Sequence, residues 1–247
     1  MSDSNSIITA AKLSSAVYDV SGSPNDWDII NDARSESEGS GFDAVTYYNK
    51  KTNEVYIVYR GSEDAGDFST DYDLGVGTLS SQFGEATDFY DSSMEVLSDR
   101  GITPSAPIIT GHSLGGALAT YVGIKTGKET ITFNAPGIGQ LPESGVKGDL
   151  SGYANILNIR SSGDPVSLSG KLVGTTVEFS VNSAYSWLGY FGHLYGQHSM
   201  DELLEDIITS LQAEFNTAEV TTSPLILDLD GDGVESISKT AGIHFDH

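Results

Sequence analysis

Pro107-Ile108-Ile109-Thr110-Gly111-His112-Ser113-Leu114-Gly115-Gly116-Ala117-Leu118-Ala119 is the stretch on which the reading of this chain turns. A short apolar run passes through a serine into the helix-forming sequence ALATYVGIK. A sharp strand-to-helix turn that exposes a serine Oγ needs an apolar strand before it and a helix after it. It also needs small residues two places before and two places after the serine, so that the strained backbone fits. Ile108 and Ile109 supply the strand, Ala117-Leu118-Ala119 the helix, and Gly111 and Gly115 the small flanks. In a chain with 28 glycines, a bare G-x-S-x-G match carries little weight, so the flanks carry the reading. The bland alternative is a Gly-rich turn with an idle serine.

Outward from that turn, strands and helices alternate. Residues 5–20 read as an opening helix, with Ile7, Ala10, Ala11, Ser14, Val17 and Tyr18 near helical spacing. Residues 21–41 read as a polar loop punctuated by Gly22, Pro24, Gly39 and Gly41. FDAVTYYN and EVYIVYR, separated by Lys50-Lys51-Thr52-Asn53, carry a hairpin signal. A helix is predicted from about Gln82 to Ser98 and ends at Gly101. Residues 130–134 and 154–160 read as buried strands, and residues 199–213 as a helix opened by the capping box Ser199-x-x-Glu202. The alternation predicts an α/β domain with a mostly parallel central sheet flanked by helices, over residues 1–215. From Asn216 the composition changes to a linker, NTAEVTTSP, and then to an acidic tail, giving a second segment over residues 216–247. No internal repeat of 20–50 residues is present.

A serine nucleophile needs a neutral imidazole to take its proton. Of the five histidines, His112 adjoins Ser113 and is expected to point away from it, and His244 and His247 fall in the tail. His193 lies in GYFGHLYG, where packing is an equally good role. His198 directly precedes the Ser199 cap, where the helix start fixes its backbone, and is the preferred base. The orienting acid should fall between Ser and His in the chain. Asp164 follows the strand ANILNIR, at a carboxyl end where open α/β sheets place their sites. Pro165 holds it extended. Asp149, in a polar Gly-Asp loop, is the competitor.

Composition bounds the function. The chain has 247 residues, no cysteine, and 12 Lys+Arg against 35 Asp+Glu, for a net charge of −23. At about 150 residues per domain this makes between one and two domains. A chain this long buries roughly 70–75% of its unfolded surface and needs no staples. Without cysteine, a disulfide scaffold, cysteine-ligated zinc and a thiol nucleophile are excluded. The acidic surface repels phosphate backbones and anionic headgroups, which argues against nucleic acid and against electrostatic membrane docking. No run approaches the ~18 apolar residues of a transmembrane segment. MSDSNSIITAAKLSSAVYDV has neither a basic n-region nor a continuous h-region, so no Sec signal peptide is expected.

Taken in order, VYIVYRGS, DFSTDYDL, IITGHSLGGALA, NIRSSGDPV and GQHSM resemble the class 3 lipase family of α/β-hydrolases, over about residues 5–213. The resemblance implies the α/β-hydrolase fold and a Ser-His-Asp triad of Ser113, His198 and Asp164. It implies an oxyanion hole from Ser62, through its backbone N–H and hydroxyl, with the backbone N–H of Leu114 as second donor. Asp67-Phe68-x-x-Asp71 is similar to the family's Asp-Trp-x-x-Asp, with Phe in place of Trp. The stretch after Ser62 is short and acidic, unlike an amphipathic lid helix. Between Asp164 and His198 lie Tyr185, Trp187, Leu188, Tyr190, Phe191 and Tyr195, which read either as an acyl pocket with a lid or as ordinary packing.

The implied activity is hydrolysis of carboxylic esters of acylglycerols through an acyl-enzyme, with a lipid or ester substrate and no cofactor in the catalytic cycle. A phospholipase A or short-chain carboxylesterase is the alternative from the same chemistry. A non-catalytic calcium-binding module is the alternative from a different class. In the tail, Asp228-x-Asp230-x-Asp232-Gly233 reproduces the first half of an EF-hand loop, so Asp228, Asp230 and Asp232 are candidate Ca²⁺ ligands. Lys239 stands where the loop's bidentate Glu belongs. PLILDLDGDGVESISKTAGIHFDH also resembles a segment of large secreted bacterial proteins of the RTX type, although their glycine-rich nonapeptides are missing. Secretion without a Sec signal is expected, with which the absence of cysteine and the low pI agree, as they do with the type I route; they agree equally with a cytoplasmic location, the alternative. No feature of the sequence fixes an oligomeric state.

Overall fold

Val55, Ile57 and Tyr59 alternate with Tyr56 and Val58 along one strand and all five are buried, so this strand is covered on both faces. A computed structural model of the chain describes residues 3–19, 23–34, 41–61, 72–104, 106–179, 198–200, 203–205 and 207–209; within 72–81 it describes the backbone alone. The chain divides into two compact units, Met1–Ile208 and Thr209–His247, and every site residue described below lies in the first.

Seven strands form one sheet in chain order: β1 (Asp28–Asp32), β2 (Ala44–Asn49), β3 (Glu54–Tyr59), β4 (Ile108–His112), β5 (Thr130–Phe133), β6 (Ile156–Ser161) and β7 (Thr175–Phe179). β1, β2 and β3 pair antiparallel, and β3 through β7 pair parallel. Helices α1 (Ser4–Ala16), α2 (Tyr72–Asp99) and α3 (Leu114–Thr126) flank it. Successive side chains of a strand point to opposite faces. Ile109 joins the core formed by residues of α2 and α3, while its neighbour Thr110 bonds Ser14 of α1 at 3.0 Å between hydroxyl oxygens. The sheet is thus sandwiched, with α1 on one face and α2 and α3 on the other. The α/β-hydrolase architecture with a mostly parallel sheet is the observed fold.

Local chemistry accounts for the elements. Asp3 caps α1 by accepting from the Ser6 N–H at 2.7 Å, as an N-cap aspartate should. The β2–β3 hairpin turns through Asn53 at φ 59°, a left-handed value that asparagine tolerates well. Asn49 Oδ1 accepts from the N–H groups of Lys51 and Thr52. α2 is fixed to the sheet by Tyr59, whose hydroxyl donates to the Ala86 carbonyl at 2.7 Å, and to α3 by Phe83 stacked on Tyr121 at 4.0 Å between centroids.

The structure differs from the sequence expectation in four places. α1 ends at Ala16 rather than 20. β1 lies inside the stretch read as a polar loop; it is an edge strand with one buried residue, Ile30, so no period-2 pattern advertises it. β7 was not anticipated and is exposed over most of its length. α2 begins ten residues before Gln82, at Tyr72, because Gly75 and Gly77, which punctuate loops in sequence, are absorbed into a helix despite their poor propensity. The expected helix over 199–213 is helical at residues 203–205 and 207–209; Glu202 of its capping box lies outside the described residues. So do the 185–195 aromatics, Asp67 and Asp71, and the whole acidic tail.

Candidate active site

β3, β4 and β6 run parallel, so the segments leaving their carboxyl ends emerge along one edge of the sheet. These segments carry Gly61, Ser113 and Asp164 respectively.

Ser113 joins β4 to α3 with φ 57° and ψ −130°, a region that costs a non-glycine residue on the order of 1–3 kcal/mol. Its surroundings over-determine that geometry. The Ser113 N–H donates to the Phe133 carbonyl at 2.9 Å, and its carbonyl accepts from Gly116 and Ala117. The two flanking glycines are required by close backbone approach. A Cβ on Gly115 would lie 2.1 Å from the Tyr59 carbonyl oxygen, and one on Gly111 would lie 2.5 Å from the Gly115 backbone. Gly115→Ala is therefore expected to force β3 and α3 apart. Overpacking of this kind typically costs ~1–3 kcal/mol or more, a fall in Tm of roughly 3–10 °C for a domain of this size. An unchanged melting curve would refute the steric reading.

Three side chains meet at this edge. His198 Nε2 lies 2.8 Å from Ser113 Oγ, and His198 Nδ1 lies 2.9 Å from Asp164 Oδ1. The partners fix the tautomer: a carboxylate only accepts, so Nδ1 carries the proton and Nε2 is left free to accept from the serine hydroxyl. Asp164 is fully buried. It also accepts from the Val166 N–H through Oδ1 at 3.3 Å and from the Ser167 N–H through Oδ2 at 2.8 Å. The competing Asp149 instead caps a short turn at the surface, and the Ser151 N–H it accepts holds its carboxyl below the usual range. His193 lies outside the described residues.

Leu114 opens α3, so its N–H has no acceptor within the helix and stands at the positive end of the helix dipole. Ser62 lies outside the described residues. Its neighbour Gly61 packs against Ser113, where an added Cβ would lie 3.0 Å from Ser113 Cβ. Among the described residues, no group of three or more His, Asp or Glu is arranged to hold a metal ion; the candidate ligands Asp228, Asp230 and Asp232 lie outside them. No described helix is long and apolar enough to cross a membrane.

The sequence reading missed three supporting residues. His112 belongs to the site: its ring lies 4.8 Å from that of His198 between centroids, and its Nε2 bonds the His198 carbonyl at 2.8 Å. Tyr18 reaches His112 Nδ1 at 3.1 Å. Asn134, at φ 46°, clamps the end of β6 by bonding the Ser161 N–H and hydroxyl, three residues before Asp164. Only Asn134 carried a local signal, as an Asn directly after a strand, where left-handed backbone is common.

Burial, and then the neighbouring His198, push the His112 imidazole down to about 3, so the folded protein holds it neutral. The unfolded chain takes up the proton near the ordinary value of about 6.5. The neutral histidine therefore favours folding fully above pH 6.5, and that contribution is lost as pH falls from there toward 3. One such proton is worth about 1.4 kcal/mol per pH unit, or roughly 3–5 °C in Tm. Between pH 6.5 and 4, His112→Gln is expected to melt with a slope flatter by that amount. Parallel curves for the two proteins would contradict a buried neutral His112.

Comparison with known proteins adds the family. The chain is 32% identical over 109 residues to an extracellular phospholipase A1 of Serratia liquefaciens; the match takes in 44% of this chain and 32% of that protein. It thus spans about a third of that relative's length. The fold is similar to that of Lip2 lipase from Yarrowia lipolytica (TM-score 0.55, 15% identity, 73% of this chain and 80% of that one). It is likewise similar to a triacylglycerol lipase from Penicillium expansum (TM-score 0.52, 18% identity, 73% and 82%). Residues 9–147 match the model of a phospholipase-like family, the Tle-like phospholipase domain. That match includes Tyr18, Gly61, His112 and Ser113 and stops short of Asp164 and His198. Since it covers more than half of the sequence, the chain belongs to the phospholipase-like family of Tle-like phospholipase domains.

Proposed function

We propose that the chain is a serine ester hydrolase that cleaves an acyl ester of a glycerophospholipid. The observation that carries the proposal is the run of contacts from Ser113 Oγ through His198 to the buried Asp164 carboxylate, 2.8 Å and 2.9 Å long. Ser113 Oγ attacks the ester carbonyl carbon while His198 Nε2 takes its proton. Asp164 holds the imidazole in the accepting tautomer and stabilises the cation that forms. The carbonyl oxygen becomes an oxyanion that accepts from the Leu114 N–H and, on the family resemblance, from Ser62; such donors are typically worth about 100–1000-fold each. The intermediate collapses, and His198 returns the proton to the departing alcohol, the lysolipid. Water then attacks acyl-Ser113 by the same proton traffic and releases a fatty acid.

The phospholipid substrate is favoured over acylglycerol by two findings: the family match, and the relative described as a phospholipase A1. The likeness to triacylglycerol lipases speaks for the fold. The same relative supports an extracellular destination. Calcium in the tail remains part of the proposal, as a structural ligand; EDTA is then expected to lower Tm without lowering turnover on a soluble ester.

The test is fluorophosphonate labelling with the modified serine mapped, followed by turnover on phosphatidylcholine vesicles and on a triacylglycerol emulsion of matched acyl chains. Labelling at Ser113 with at least tenfold faster phospholipid hydrolysis is expected. Labelling with the order reversed would make acylglycerol the substrate.

A further inference from the structure

We propose that Tyr18 and His112 are positioning residues, a hydrogen-bonded bridge that ties the backbone of Gly61, beside the oxyanion site, to the backbone of His198 and so holds the base at its working distance from Ser113. The inference rests on the reading of Ser113 and His198 as nucleophile and base.

The direction of every bond in the bridge follows from chemistry. The His198 carbonyl can only accept, so His112 Nε2, 2.8 Å away, carries the proton and donates. A neutral imidazole then has Nδ1 as its acceptor, and the Tyr18 hydroxyl 3.1 Å away must donate to it. The Tyr18 oxygen in turn accepts the Gly61 N–H at 3.1 Å. The chain runs in one sense, from Gly61 N–H to Tyr18 O–H to His112 N–H to the His198 carbonyl, with every donor matched to an acceptor. It joins four segments far apart in sequence: the turn after α1, the end of β3, the end of β4 and the stretch at His198.

Two features fit a positioning role better than packing. First, the bridge holds only while both its rings keep their neutral forms, and both do. Burial pushes the Tyr18 hydroxyl up to about 12, so it remains a donor, and pushes His112 down to about 3, so its Nδ1 remains an acceptor. Second, a neutral His112 suits its place beside the base. His198 becomes a cation in each half-reaction, its ring centroid 4.8 Å from that of His112. A neutral neighbour adds no repulsion, and its only N–H is committed to a carbonyl. Gly61 also leaves the bridge its space, since a Cβ there would come within 2.6 Å of the Tyr18 hydroxyl.

The experiment compares Tyr18→Phe, His112→Ala, His112→Gln and the double variant Tyr18→Phe/His112→Ala with wild type on p-nitrophenyl butyrate at 20 °C. Each rate is divided by the sites titrated with fluorophosphonate, so misfolded protein does not count. Tyr18→Phe is expected to lower kcat per site by about 10–100-fold with KM within threefold, because the substrate's own contacts are untouched. His112→Gln, whose amide N–H reaches the former Nε2 position, should recover at least tenfold of what His112→Ala loses. The double variant should fall within threefold of His112→Ala, since residues in one network are not additive. A per-site kcat for Tyr18→Phe within twofold of wild type would overturn the bridge, as would a double variant losing the product of the single losses. Should His112→Ala fail to fold, Tyr18→Phe against Tyr18→Phe/His112→Gln decides by the same criterion. Wild type that is not labelled at Ser113 fails the underlying reading instead, before any variant is compared.

Discussion

Ser113→Ala is expected to lower turnover on any ester by about 10⁴–10⁶-fold while leaving the melting curve within a few degrees of wild type. The magnitude follows from what the hydroxyl supplies. Without Oγ no acyl-enzyme forms, and the residual rate is what an oxyanion hole and binding give to direct attack by water. Preservation of the fold follows from the surroundings. The strained backbone is held by main-chain bonds, from Ser113 N–H to Phe133 and from Gly116 and Ala117 to the Ser113 carbonyl, and the substitution touches none of them. Ala at φ 57° is strained as Ser is. The lost contact is one 2.8 Å hydrogen bond to His198, typically worth about 1 kcal/mol. Initial rates on p-nitrophenyl butyrate, fluorophosphonate labelling and a thermal melt check the three parts together. Residual turnover within a hundredfold of wild type, or a second labelled serine, would remove Ser113 from the centre of the mechanism.

The parts of this molecule that could be read in the sequence are those whose cause is local. The Ser113 turn is announced by its own flanks, and the structure gives the flanks their reason: a Cβ at Gly115 would meet the Tyr59 carbonyl. Asp164 stands out because it follows an apolar strand and precedes Pro165, and His198 because a cap follows it. The central strands β2 to β6 are legible because burial selects short runs rich in Val, Ile, Tyr, Phe and Thr. Edge strands have no such imprint: β1 buries only Ile30, and β7 is mostly exposed. The start of α2 was hidden by glycines whose propensity favours a loop. Tyr18 and His112 were illegible for a different reason, since each looks like an ordinary aromatic residue until segments 43 to 94 positions apart are brought together. Sequence order could place them on a helix end and a strand end, but could not say that those ends touch.

Asp164→Asn is expected to be nearly as damaging as loss of the serine, about 10⁴-fold in kcat, although it removes no atom from the packing. An asparagine can enter this site in two ways, and the backbone chooses between them. If its oxygen faced His198, its NH₂ would occupy the Oδ2 position, 2.8 Å from the Ser167 N–H, donor against donor. If it is turned round, its oxygen satisfies Ser167 and its NH₂ faces His198 Nδ1. The only close donor left opposing it is then the Val166 N–H, more distant at 3.3 Å, so this orientation prevails. The imidazole must now accept at Nδ1 and carry its proton on Nε2, pointing at Ser113 Oγ. A base with its proton on the wrong nitrogen cannot accept the serine's, and the imidazolium of the transition state faces a dipole of the wrong sign. Loss of this kind is worth about 10⁴-fold, or roughly 5 kcal/mol of barrier. Fluorophosphonate inactivation should slow in parallel, because it needs the same proton transfer, while thermal stability changes little. An Asp164→Asn variant that keeps more than a tenth of wild-type kcat would show that His198 holds its tautomer without the carboxylate, and the assignment of Asp164 would fall.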